Sequence, residues 1–183
     1  MALLSACGGS PASPQAAPTT PAPTVAEPTP SPTPLYDCGS RPRGGAATAS
    51  QLRAELDVGP ATTHVGEALS FTLYLSNPTM RPIRISATTP AIFWFTGEDG
   101  RVLWMTAPPT HTPVVIAKTI APGGRTIVRT DGWDATFCDP AAPHASVAKG
   151  PLRHGAYRGH AYFTAKVGGH TEAWLTDRVF SVK

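Results

Sequence analysis

Six histidines and a short acidic loop are the residues in this chain whose types could do chemistry. His64, His111, His144, His154, His160 and His170 invite a metal site, and four of them follow Pro143. Zinc sites, however, draw ligands from paired spacings such as His-x3-His or Cys-x2-Cys, and no such pair occurs. Asp131, Asp134 and Asp139, near His144, could in principle form a calcium loop or an acid/base pair. In a Gly/Pro-rich stretch, though, aspartates act mainly as turn formers, because each can bond its own backbone. The chain contains no Gly-x-Ser-x-Gly elbow, no phosphate-cradling glycine loop and no dinucleotide fingerprint. The sequence therefore points away from an enzyme and calls for no cofactor and no metal.

The three cysteines say more. Cys7 sits in Leu4-Ser5-Ala6-Cys7-Gly8-Gly9-Ser10, which has the form of a bacterial lipobox, the motif whose cysteine is lipidated. A lipidated Cys7 leaves Cys38 and Cys138 as an even pair, free to form one disulfide in an oxidising compartment. Such a bridge, closing a loop of about 100 residues, is worth up to about 4.7 kcal/mol in the chain-entropy model. Residues 1–7 then read as the remnant of a lipoprotein signal. Six residues before Cys7 are too few for a full signal peptide, so the translation start is expected to lie upstream.

From Gly8 to Pro34 the residues are almost all Pro, Ala, Thr, Ser and Gly, with Val25 the only larger apolar residue and Glu27 the only charge. Such a segment cannot bury enough apolar surface to offset its conformational entropy. Residues 8–35 are therefore expected to be a disordered, proline-stiffened tether. With 15 basic and 12 acidic residues the net charge is +3, and no Lys/Arg stripe suggests nucleic acid. The membrane enters only through the lipid, and the domain is placed outside the cytoplasm.

A folded unit is expected over 36–183, and its apolar residues alternate rather than recur at helical spacing. In Leu69-Ser70-Phe71-Thr72-Leu73-Tyr74-Leu75-Ser76 every odd position is apolar, giving one core face and one outer face. The stretch Tyr157 to Val167 repeats the pattern. Further strands are expected at 52–58, 83–87, 92–95, 102–105, 114–120, 126–130 and 174–182. Asp99-Gly100 and Gly168-Gly169 mark hairpins. Eight or nine short strands with such turns indicate an all-β fold, an immunoglobulin-like antiparallel sandwich.

Two features could meet a partner. Thr106, Pro108, Pro109, Thr110, His111 and Pro113 form a polar, proline-extended connector between two strands. A preorganised segment of this kind loses little entropy when it is clamped; the plainer reading is an ordinary connector, since loops of this length are common. Trp94 lies between Phe93 and Phe95, so alternation sends it to the opposite face. If that face is open, Trp94 is an exposed aromatic suited to an interface; if it is covered, Trp94 is one more core residue, which is the plainer reading.

Several stretches also resemble the intracellular proteinase inhibitor (BsuPI-like) family, over about Gln51 to Lys183. They are Leu75-Ser76-Asn77-Pro78-Thr79 resuming at Ile83, Phe93 to Trp104 with its Asp-Gly turn, Ile120-Ala121-Pro122-Gly123-Gly124 leading to Trp133-Asp134, and His154-Gly155-Ala156-Tyr157. The resemblance implies an immunoglobulin-like fold and binding of a protein partner, a serine protease. The sequence departs from the family at Gly124, where a Glu is usual, and over Asp134 to Pro151, which reads as an insertion carrying Cys138. A structural, adhesive or glycan-binding sandwich without inhibitory activity is the second reading. Motifs of this kind transmit fold more safely than activity.

Overall fold

A computed structural model describes residues 50–106, 115–133, 135–139 and 142–183, with backbone alone at 138–139 and 142–149. Twelve strands run through them: β1 (Arg53–Gly59), β2 (Thr62–Thr63), β3 (Leu69–Ser76), β4 (Ile83–Ala87), β5 (Ile92–Thr96), β6 (Val102–Met105), β7 (Ile116–Ile120), β8 (Arg125–Trp133), β9 (Thr136–Asp139), β10 (Ala142–Lys149), β11 (Gly155–Val167) and β12 (His170–Val182). The all-β expectation holds, with three strands more than the upper count of nine. β2 is too short to show alternation. β9 and β10 form a hairpin inside the stretch that reads as an insertion, where prolines hide the strand pattern.

Two sheets face each other in the immunoglobulin-like manner. One has the order β1-β3-β8 and is antiparallel throughout. The other has the order β2-β12-β11-β4-β7, with β5 continuing along β11 beyond β4, and β6 pairing with β5. The chain changes sheet at its start: β1 pairs with β3, whereas β2 runs parallel to β12 in the opposite sheet. β11 and β12 form a thirteen-pair hairpin, closed by Gly168 and Gly169 at φ +57° and +91°. Two successive residues at positive φ match the twist of a tight hairpin, a conformation that favours glycine.

Alternation places the core as expected. Leu69, Phe71, Leu73 and Leu75 are all buried from β3, against Phe93, Phe95 and Trp104 from the other sheet. Phe71 is the hub, with ring centroids 5.3 Å from Trp104, 6.1 Å from Phe93 and 6.2 Å from both Phe95 and Phe180. Offset and edge-on geometries of this kind add to the burial of each ring. Gly159 of β11 makes room for the hub: a Cβ there would lie 2.9 Å from Phe71 and 3.1 Å from Val58. Trp104 and Trp133 are core residues, as the sequence indicates.

Asn77 ties two distant turns together. Its side-chain amide donates to the carbonyls of Arg81 at 2.7 Å and Ile120 at 3.0 Å. Its amide oxygen accepts from the backbone N–H of Thr79 at 3.0 Å and the Thr79 hydroxyl at 2.7 Å. Its backbone N–H donates to the Gly124 carbonyl, and its carbonyl accepts from the Gly123 N–H. The Asn-Pro and Pro-Gly-Gly turns therefore form one unit, which joins the end of β3 to the β7–β8 connection.

Candidate functional site

The β5–β6 hairpin positions both features that the sequence singles out. Its closed end is the loop Gly97–Arg101, where Gly100 donates to the Gly97 carbonyl and Arg101 donates to the Asp99 carboxylate. Its open end is Thr106, where the candidate connector begins.

Thr106 is not an exposed loop residue. It is buried; its backbone N–H donates to the Phe93 carbonyl at 2.8 Å, and its hydroxyl accepts from the Phe93 N–H at 3.1 Å. A side-chain hydroxyl thus completes the exchange that a backbone carbonyl would make, and it extends the β5–β6 ladder by one rung. Arg129 reinforces the same corner from the facing sheet. Its guanidinium donates to the Ala91 carbonyl at 2.7 Å, pairs with Asp131 and lies 5.9 Å from the Phe93 ring centroid. Asp131 is committed to this ion pair and to the N–H of Gly132, so it acts as a structural carboxylate. Pro108, Pro109, Thr110, His111 and Pro113 lie outside the described residues, as do Cys7, Cys38, Asp134 and the side chain of Cys138.

Trp94 corrects the sequence expectation differently. It does turn away from Phe93 and Phe95, as alternation requires, yet only 1% of it is exposed. Neighbouring strands cover it: the His160 ring stacks on it at 5.0 Å and 8°, and Ile92, Met105, Tyr162 and Leu175 pack around the cluster it forms with Val102. Register brings these side chains together, since β5 and β6 pair Trp94 with Met105, and β5 and β11 pair Trp94 with His160. Trp94 is therefore the centre of a second, smaller core and not an exposed contact residue.

Beside this cluster, a cleft of about 560 Å³ is lined by Thr96, Gly97, Glu98, Tyr157, Arg158, His160 and Val179, among others. Arg158 is held by Asp177 at 2.8 Å, and Tyr157 donates its hydroxyl to the Arg153 carbonyl at 2.8 Å. Burial raises the pKa of the Tyr157 phenol. Burial also lowers the pKa of His160 below the ordinary 6.5; Asp177 opposes this and Arg158 adds to it. The sequence places His160 on an outer face, but no spacing rule reveals the stack, because its partner Trp94 lies on another strand, β5.

The lowered pKa of His160 predicts a pH effect. Below pH 6.5 the unfolded chain takes up a proton that the folded imidazole resists, so stability present above that pH is lost as acid approaches the folded value. Melting temperature should therefore fall between pH 7.5 and pH 5 more steeply for the native chain than for His160→Phe, which keeps a ring on Trp94. Parallel pH profiles would contradict this.

Among the described residues, no group of three or more His, Cys, Asp or Glu side chains is arranged to hold a metal ion. No described helix is long and apolar enough to cross a membrane.

No family model matches the chain, and no curated protein matches it. Among solved structures it is similar to an ApaA protein from Bordetella pertussis, at 11% identity and a TM-score of 0.39, over 72% of this chain and 91% of that one. It is similar to the CARDB domain of a Pyrococcus furiosus protein in complex with di-metal ions, at 13% identity and 0.33, over 72% and 87%. It is also similar to the alkylpurine DNA glycosylase AlkC of Pseudomonas fluorescens bound to DNA, at 13% and 0.36, over 74% of this chain but only 31% of the glycosylase. Neither the metal ions of the one nor the DNA of the other carries over to this chain.

Proposed function

We propose that this chain is an exported, non-catalytic binding domain, held at the bacterial envelope by a lipid on Cys7 and the proline-rich tether. It engages a protein partner through the segment that begins at Thr106. The observation that carries this reading is the clamp at Thr106. The hydroxyl and backbone of that residue lock the segment's start onto Phe93, and β7 anchors its far end in a five-pair ladder with β4. A recognition segment works best when a rigid frame sets its ends, because less ordering entropy is lost on binding. The resemblance to the BsuPI-like family names the partner class as a serine protease. A bridge between Cys38 and Cys138 would add a covalent staple to the same domain.

Replacing Pro108-Pro109-Thr110-His111 with Gly/Ser residues tests the segment. Partner binding is expected to weaken by about a hundredfold or more, as for truncated interface anchors, while the melting temperature stays within about 2 °C, as is usual for surface changes away from structural features. Unchanged binding would move the contact elsewhere on the domain. A structural, adhesive or glycan-binding sandwich without inhibitory activity is the second reading; Trp94, being buried, is not open to it as a stacking platform.

A further inference from the structure

The cleft beside the Trp94 cluster is separate from the segment that begins at Thr106. It lies toward the closed end of the β5–β6 hairpin, whereas that segment leaves from the open end. Register builds its floor: pairing of β5, β11 and β12 sets Thr96, Arg158 and Val179 in one row across the outer face of the larger sheet. His160, two residues along β11, stands beside this row with its Nε2 3.4 Å from the Thr96 hydroxyl. The hairpin loop brings Glu98 to the same cleft. The volume of about 560 Å³ lies in the range of small-molecule sites.

Two charged side chains line the cleft, Glu98 and Arg158, and they differ in how far they are compensated. Arg158 donates to the Asp177 carboxylate at 2.8 Å. Glu98 accepts one long contact, from the Ala156 N–H to Oε1 at 3.4 Å, and forms no ion pair among the described residues. His160 is neutral at pH 7.5, because burial holds its pKa below 6.5. The lining therefore carries one uncompensated negative charge. In the same cleft Val179 is 53% exposed and Tyr157 supplies an aromatic wall. A carboxylate, a ring and an open apolar side chain together suit a cation on a carbon stem. The carboxylate takes charge-assisted hydrogen bonds, the ring attracts the cation, and the stem lies along apolar surface.

We propose that this cleft binds an alkyl guanidinium or alkyl ammonium group, with Glu98 as its counter-ion and Val179 as the rest for its stem. The site does not depend on how the Thr106 segment meets its partner.

Titrating the full chain with n-butylguanidinium at pH 7.5 and low salt, followed by calorimetry and backbone amide NMR, tests it. Saturable binding is expected, with shifts concentrated at Gly97, Ala156 and Val179. The uncharged n-butylurea, of the same shape, should bind at least about tenfold more weakly, since it lacks the charge-assisted bond. Glu98→Gln should weaken butylguanidinium by about tenfold for the same reason, with the melting temperature unchanged. Arg158→Gln should act in the opposite direction, because it leaves Asp177 unpaired beside the cleft. A gain of about two- to fivefold is expected from one such exposed charge, and misfolding cannot produce a gain. Nα-acetylarginine methylamide separates two sources of the cation. Binding as tight as butylguanidinium assigns the site to an arginine side chain of a polypeptide, and exclusion assigns it to a small free cation. Equal binding of butylurea, unchanged affinity in Glu98→Gln, weaker binding in Arg158→Gln, or shifts centred elsewhere would overturn the proposal.

Discussion

Replacing Phe71 with alanine should destabilise the domain by about 3–5 kcal/mol, the range for deleting a fully buried ring. Phe71 is fully buried and touches four other aromatic rings drawn from both β5–β6 and β12. Deleting it removes the one element of β3 that all of them share. For a domain of this size the loss corresponds to roughly 10–20 °C in melting temperature. Gly159 supplies an internal control. Alanine there should destabilise the native chain, since its Cβ would press on Phe71 at 2.9 Å. The same change should cost less in the Phe71→Ala background, where its methyl enters the vacated space, so a double-mutant cycle would show non-additivity. Additive effects would mean that Gly159 does not face the hub.

The second large effect is expected at Asn77. Alanine there removes four side-chain hydrogen bonds from a residue that is 1% exposed. It leaves the Ile120 carbonyl and the Thr79 N–H short of a partner, and each such group costs about 1–3 kcal/mol when buried. A total loss near 3 kcal/mol, seen as a lower urea midpoint with little change in slope, is the expected result. Asn77→Asp should be no better at neutral pH, because a carboxylate would face the Arg81 and Ile120 carbonyls with no donor. A loss below about 0.5 kcal/mol for alanine, the usual size of a surface change, would show that water replaces the asparagine.

Strand positions were legible because half-buried strands alternate, and β3 and β11 do so over their whole lengths. Pairing was less so. Asn77 and Ile120 are 43 positions apart, and Asn-Pro reads locally as a turn without showing what the amide holds. Trp94 is a case of half a reading: alternation gave its face, but whether that face is covered depends on the register of β6 and β11. Thr106 looked like loop because it is polar and precedes prolines, yet its hydroxyl continues the ladder. Lys118 of β7 was legible only as the one charged residue between Val114 and Ile120; its inward face follows from the register with β4.

Titrating the whole chain against subtilisin-like and trypsin-like serine proteases tests the central claim most directly, with residual activity and cleavage of the chain followed together. Stoichiometric loss of protease activity, with the domain intact or nicked once between Thr106 and Pro113, is the predicted result. Undiminished protease activity, with the segment cut progressively as an ordinary substrate, would contradict it.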